Sequence, residues 1–364
     1  MMKRIYNFSA GPAILPVPVI EEAAKGVREI NGSGMSILEV SHRGKDYDAI
    51  HQETMANVLQ VLGLSAEEYA VCLLGGGASL QFAMLPMNFL AAGQTADYVD
   101  TGEWSAKAIK EAKRLGNVNV VGSSAGTKYD RLPKDLSFSA PGVARYAHLT
   151  TNNTIEGTQF FDLPDANGAP LTADMSSDIF AVARDFAKFD LFYAGAQKNA
   201  GPAGVTIVVA KKAFLEKATK DVSPMLSYAL QADKESLYNT PPVFPIYVVG
   251  LVLKWIQGEG GVAAIEKRNR EKAGLIYGAL DAAPAFYEPA VAEKADRSLM
   301  NITWRLKDAS LEAEFLAEAK KREMDGLKGH RNVGGFRASV YNAFPAEGCA
   351  ALADFLADFA RRKG

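Results

Sequence analysis

The sequence predicts an α/β protein: a large domain built on a mostly parallel central sheet flanked by helices, followed by a smaller α+β domain. Three observations carry this expectation. Between about residues 69 and 210, short apolar, β-rich runs alternate with helical patterns, and strands separated by helices pair in parallel through crossover connections. Beyond residue 262 the pattern changes to longer helices that bracket isolated strands. The 364 residues also exceed what one simple core usually organises, at roughly 150 residues per domain.

The elements follow in order. Residues 69–74 read as a buried strand, then a run of glycines, then a helix over 79–90. Residues 96–100 form a second strand and 105–115 its helix. Further short strands fall at 118–121, 144–149 and 170–174. Two more, 190–194 and 205–210, flank a polar, glycine-rich turn. The greasiest run, 243–253, contains Pro245 and Gly250 and is far short of the ~20 apolar residues that span a bilayer, so it reads as a core helix. Helices at 262–282 and 311–323 then bracket strands at 300–305 and 335–340, and a helix from Ala346 closes the chain. The glycines at 258, 260 and 261 mark a hinge. The division expected is a large domain over 16–261 and a small one formed by 1–15 with 262–364.

Charge excludes whole function classes. Forty basic residues against forty-two acidic ones leave a net charge of −2, which gives no footprint for nucleic acid or an anionic membrane. The two cysteines, Cys72 and Cys349, supply neither a disulfide framework nor a cysteine-rich metal site, and both fall in apolar element patterns rather than loops. The N-terminus carries basic residues with no continuous apolar stretch behind them, so it does not read as a secretory signal. A cytoplasmic location is expected.

Chemistry concentrates around Lys198. It lies in a turn between two apolar strands, among small residues, glycines and a proline, with Gln197 and Asn199 as polar neighbours. Glycine lets a backbone approach a ligand closely, and a lysine pressed into such a turn suits a lowered pKa and Schiff-base chemistry; an ordinary turn lysine is the alternative. Asp174 ends a buried strand twenty-four residues earlier, facing the crevice where open α/β sheets bind ligands. A pyridoxal phosphate ring needs such a carboxylate on its nitrogen, although taken alone the position reads more readily as a helix cap. Gly75, Gly76, Gly77, Ala78 and Ser79 follow a strand and open a helix, a turn that offers amides to an anion or serves structure alone. They match neither G-x-G-x-x-G nor Walker A. Trp104, after a strand and before a helix, can stack on an aromatic ligand or cover the core. Two of the four histidines precede arginine, His42 with Arg43 and His330 with Arg331. Such donor pairs suit a phosphate dianion, and Arg337 in its glycine-rich setting suits a carboxylate; surface ion pairs are the alternative for each. His51 and His148 read as structural.

Several long motifs occur together and in order: Asn7 to Pro12, Gly34 to Gly44, Gly75 to Phe82, Thr151 to Gly157, Ala196 to Asn199, Asn239 to Pro242, and His330 to Arg337. In these the chain closely resembles the phosphoserine aminotransferase family, class V pyridoxal-phosphate aminotransferases of the aspartate-aminotransferase fold (fold type I). The resemblance covers nearly the whole chain. It implies reversible transamination of 3-phosphohydroxypyruvate with L-glutamate, and allows the related phospho-oxo acid on the route to pyridoxine.

The resemblance also implies roles. Lys198 would hold the cofactor covalently and shuttle a proton between the substrate α-carbon and cofactor C4′. Asp174 would pair with the ring nitrogen and Trp104 would stack on the ring. Ala78, Ser79 and Gln197 would help hold the phosphate, and Thr154 would also touch the cofactor. Asn239 and Thr240 would reach the cofactor phosphate of the other subunit of a homodimer. Arg337 would take the α-carboxylate. His42, Arg43, His330 and Arg331 would surround the substrate phosphate or the glutamate side-chain carboxylate, with Ser9 nearby. Where some family members carry arginine after the loop glycines, this chain has Ala78 and Ser79, which shifts anchoring toward backbone amides. The rivals are other class V chemistries: alanine–glyoxylate or serine–pyruvate transamination needs no pair of His-Arg motifs, and a desulfurase needs a loop cysteine. A nicotinamide dehydrogenase lacks its fingerprint here.

Overall fold

A computed structural model describes residues 4–331 and 333–364. The first three residues of the N-terminal segment, and Asn332 of the last motif, lie outside the described residues.

The chain opens with a short strand β1 (Tyr6–Asn7) and two helices, α1 (Val17–Arg28) and α2 (Lys45–Leu62). Then come β2 (Tyr69–Leu74), α3 (Gly77–Phe89), β3 (Thr95–Asp100), α4 (Glu103–Ala112), β4 (Asn117–Ser123), β5 (Ala144–Thr150), β6 (Leu171–Asp174), β7 (Leu191–Gly195) and β8 (Thr206–Lys211). Two short helices, α5 (Lys212–Leu215) and α6 (Tyr228–Asp233), lead to the apolar α7 (Val243–Gly258) and the long α8 (Gly261–Ala282). The chain ends with β9 (Tyr287–Pro289), β10 (Asn301–Leu306), α9 (Glu312–Lys321), β11 (Met324–Asp325), β12 (Phe336–Ser339) and α10 (Ala346–Lys363).

β2 through β8 form one seven-stranded sheet in the order β2-β8-β7-β6-β5-β3-β4. Neighbours from β7 to β4 are all parallel, with register pairs such as Asp174 with Tyr193 and Thr150 with Asp174. β8 breaks the pattern. It runs antiparallel to both β7 and β2. The sheet is mostly parallel, as expected, and β8 is the exception for a physical reason: only a turn separates β7 from β8, too short for the crossover that a parallel return requires. Because β2 and β7 are both antiparallel to β8, they are parallel to each other. The carboxyl ends of β2, β3, β5, β6 and β7 therefore lie along one edge of the sheet.

Strands β5 to β8 are almost continuously buried, as expected for a sheet covered on both faces. One face packs on α1, α2 and α7 through Val58, Leu73, Phe192, Ile207, Val249 and Leu253. The other packs on α3 and α4 through Phe82, Leu85, Tyr98, Ile109, Tyr193 and Val208. A separate core forms around β10 and β12, α8 and α10, with Trp304, Phe315, Phe336, Leu352 and Phe355. Phe8 and Ile14 from the N-terminal segment join it, as do Ala181 and Val182. β1 pairs in parallel with β11, so Tyr6 and Asn7 are tied to the last third of the chain. Between α7 and α8 the chain bends by 82° at the glycines. Among the described residues no single helix is long and apolar enough to cross a membrane.

Candidate active site

The sheet edge just described gathers the polar residues. β2 is followed by Gly75–Ser79, β3 by Thr101–Trp104, β5 by Thr151–Glu156, β6 ends in Asp174, and β7 leads to Gln197 and Lys198. One carboxyl edge thus collects residues that are far apart in sequence, as in other open α/β sheets.

Lys198 is the centre. Its Nζ donates to Thr154 Oγ1 at 2.8 Å and stands 5.9 Å from the centroid of the Trp104 ring. Burial pushes its ammonium down to about 8; the Asp174 carboxylate opposes that shift and the Arg337 charge adds to it. Asp174 is 4 % exposed. Its carboxyl is raised by burial, which the Lys198 charge opposes, and Oδ1 accepts from the Ser176 amide at 2.9 Å. The N-terminal segment lies against the same turn: the Ala13 amide donates to the Gln197 carbonyl at 2.9 Å. A β-carbon on Gly11 would stand 3.4 Å from both Gln197 and Lys198, at a φ of +139° that side chains rarely adopt, so only glycine serves there.

Trp104 is the second residue of α4 rather than a loop residue. It sits between Lys107 Nζ, 4.4 Å from its centroid, and Phe82, 6.4 Å away. Its Nε1 is buried without a partner. Phe82 also meets Tyr193 at 6.2 Å, which fixes α3 beside β7. No side chain caps α3, whose N-cap is Gly76 at a φ of 89°. A β-carbon there would fall 2.4 Å from Leu80, so glycine is required. The free amides of its first turn, at Gly77, Ala78 and Ser79, form a ready anion cradle.

On the opposite side, β12 delivers Arg337, whose Nη1 donates to the Thr154 carbonyl at 3.2 Å while Nε is buried and unpartnered. Its β10 partner in register is Thr303. His330, in the segment entering β12, is held below its usual pKa by burial and by the Arg337 and Arg331 charges. Arg331 is exposed. Ser9 is half-buried, its amide on Asn7 Oδ1 at 3.0 Å, and packs against Gly326. His42 and Arg43 precede α2, and within one chain no hydrogen bond or ion pair among the described residues joins them to the Lys198 cluster; His42 Nε2 is buried and unpartnered. Asn239 and Thr240 are exposed, just before α7.

The structural reading holds for His51, which joins Tyr47 to the Glu235 carbonyl, and for His148, which meets Tyr193 Oη at 2.9 Å. Cys72 and Cys349 are free and buried, and burial pushes both thiols up to about 12, far from a thiolate nucleophile. The sequence reading passed over Glu156. It is a buried carboxylate two residues beyond Thr154, and the signals for it are its place within the Thr151 to Gly157 motif and its being the one charge there.

The donor set matches one cofactor. Uncapped amides suit a phosphate, a buried carboxylate suits a protonated ring nitrogen, an indole suits the ring face, and an amine of lowered proton affinity suits an aldehyde. Fold and site together define a pyridoxal-phosphate-dependent transferase. The chain belongs to the aminotransferase class-V family, whose model matches residues 5–352. It is 51% identical over 366 residues to the phosphoserine aminotransferase of Desulfosudis oleivorans, covering 100% of both chains. Among solved structures, phosphoserine aminotransferase from Bacillus circulans subsp. alkalophilus superposes with a TM-score of 0.96 at 48% identity, covering 100% of both. The phosphoserine aminotransferase of Trichomonas vaginalis, solved with pyridoxal phosphate bound, gives 0.91 at 36% identity over 97% of this chain and 99% of that one. The protein is a transaminase and its cofactor is pyridoxal phosphate.

Proposed function

We propose that the protein catalyses reversible transamination between O-phospho-L-serine and 2-oxoglutarate, yielding 3-phosphohydroxypyruvate and L-glutamate, and so serves L-serine synthesis in the cytoplasm. The observation that carries the reading is the half-buried Lys198, its amine set between Asp174, Thr154 and the Trp104 ring at the sheet edge. The curated relatives supply the substrate class.

When bound, pyridoxal phosphate supplies the aldehyde that receives the amino group and the ring that withdraws electrons from the substrate α-carbon. Lys198 would hold the cofactor through its Nζ, and the same amine would take and return the proton at the substrate α-carbon. Its lowered pKa leaves a substantial neutral fraction near neutrality, as a general base requires. Thr154 orients that amine through its hydroxyl. Asp174 keeps the ring nitrogen protonated, and its burial away from water strengthens that interaction. Trp104 covers the ring face. The first turn of α3, at Ala78 and Ser79, and Gln197 take the cofactor phosphate.

Arg337 takes the α-carboxylate of either amino acid through the fork whose Nε lacks a protein partner. His330 and Arg331 take the group at the far end, a phosphate in one half-reaction and a carboxylate in the other, with Ser9 beside them. His42 and Arg43 complete this pocket from the partner of a homodimer, and Asn239 and Thr240 reach the partner's cofactor phosphate. Exposure supports a partner face at these residues: Leu38, at 64 %, and Tyr238, at 42 %, lie within a few positions of them. The separate apolar cores support a large domain over 16–261 and a small one formed by 1–15 with 262–364.

Lys198→Ala tests the assignment. The variant is expected to fold, to lose transamination of O-phospho-L-serine and to lose the absorption band of covalently held cofactor. Retained turnover would contradict the role of Lys198.

A further inference from the structure

Glu156 has a geometry that the transamination reading does not use. It is 7 % exposed. Oε1 accepts the Glu103 amide, at the first residue of α4, at 2.8 Å, while Oε2 is buried with no partner. The approach is close enough to exclude a side chain opposite: a β-carbon on Gly102 would fall 2.5 Å from the Glu156 carboxyl. The residue's own carbonyl accepts from Thr303 Oγ1 at 2.7 Å, so its backbone is tied to β10. α4 therefore receives its anionic cap from another segment, in the place where a helix N-terminus favours negative charge.

The two ends of this contact are the two sides of the site. Glu103 is followed by Trp104, and Glu156 lies two residues after Thr154, which meets both Lys198 and Arg337. We propose that Glu156 is a positioning residue for the reaction: its carboxylate clamps the start of α4, and with it Trp104, against the segment that orients Lys198 and Arg337. The inference rests on the cofactor-facing role given to Trp104 above.

The charged groups around Glu156 give it a pH signature. Burial, with the Glu103 and Asp100 charges from α4 and β3, raises its carboxyl to about 7. Tyr129 and the Arg337 guanidinium also feel its charge. Between 4.5 and about 7 the folded protein holds a proton there that the unfolded chain has released. Stability therefore falls as pH rises through that window, and Glu156→Gln removes that component.

Three variants test the clamp. Glu156→Gln keeps an acceptor for the Glu103 amide, Glu156→Asp keeps the charge but falls short, and Glu156→Ala loses both. In the cofactor-free protein, hydrogen exchange at the α4 amides 103–107 is expected to rise by roughly five- to tenfold in the Ala and Asp variants, the scale of losing a helix cap, and to stay near wild type in the Gln variant. In the loaded enzyme, kcat/KM for O-phospho-L-serine is expected to fall by about tenfold with Ala and Asp and to be restored with Gln. The thermal midpoint of the Gln variant should lose the wild-type decline between pH 4.5 and about 7. Unchanged exchange in the Ala and Asp variants overturns the clamp, whatever the substrate. Faster exchange with unchanged kcat/KM overturns the positioning role. Should no variant accept O-phospho-L-serine while wild type also fails, the substrate reading falls, and the exchange result still decides the clamp.

Discussion

Lys198 and Thr154 meet at 2.8 Å, amine to hydroxyl, and the carbonyl of the same threonine receives Arg337 at 3.2 Å. One residue thus sets the distance between the amine proposed to move the proton and the guanidinium proposed to hold the substrate carboxylate. Its position is itself fixed, since Thr154 is 4 % exposed and the chain two residues later is bonded to β10.

The lowered pKa of Lys198 gives the first prediction. Only the neutral amine attacks an aldehyde, so the rate at which cofactor-free protein takes up pyridoxal phosphate should rise with pH and level off above about 8. The Asp174 charge raises the lysine pKa, so Asp174→Asn should move that midpoint to lower pH. The same variant should lose turnover by roughly a hundredfold or more, the scale of removing one preorganised electrostatic partner. Stopped-flow absorbance across the pH range reads the first effect and steady-state assay the second. A midpoint near the ordinary lysine value of 10.5 would contradict the burial argument.

The phosphate role proposed for Arg331 predicts that it discriminates between substrates. A charge-assisted hydrogen bond to phosphate contributes roughly 1.5–3 kcal/mol, which corresponds to about 10–150-fold. Arg331→Ala should lower kcat/KM for O-phospho-L-serine by that range and for L-glutamate by less. Half-reaction kinetics measured separately for the two amino donors check this, and equal losses would remove the phosphate role.

Trp304 anchors the second core, at 1 % exposure, stacked on Phe336 at 5.5 Å and edge-on to Phe315 at 6.4 Å. Trp304→Ala should cost about 3–5 kcal/mol, the range for truncating a large buried aromatic. Urea unfolding monitored by circular dichroism measures it. A loss below about 1 kcal/mol would mean that the site collapses around the gap.

Much of the fold was legible because β2, β7 and β8 are buried on both faces and read as nearly continuous apolar runs. The expected strand at 69–74 matches Tyr69–Leu74 in full, and the expected 262–282 helix differs from Gly261–Ala282 by one residue. α2 was not legible. It buries His51, Thr54 and Asn57 alongside Val58 and Leu62, and polar residues on the packed face blur the helical period. The turn that reverses β8 was legible between two apolar runs, but the strand's place between β7 and β2 depends on long-range pairing that apolar patterning does not encode. In the site, Lys198, Asp174 and Arg337 stood out because charge is unusual in such surroundings. Glu156 did not, because its neighbour across the contact is a backbone amide supplied by a segment fifty-three residues away.

The most direct test of the account is the visible absorption spectrum of the purified, cofactor-loaded protein before and after addition of O-phospho-L-serine. The account predicts that the band of cofactor held by Lys198 disappears as the amino group is transferred, and that 2-oxoglutarate restores it. A band that ignores O-phospho-L-serine but responds to another amino acid would contradict the substrate assignment, and the absence of any band after loading would contradict the Lys198 site itself.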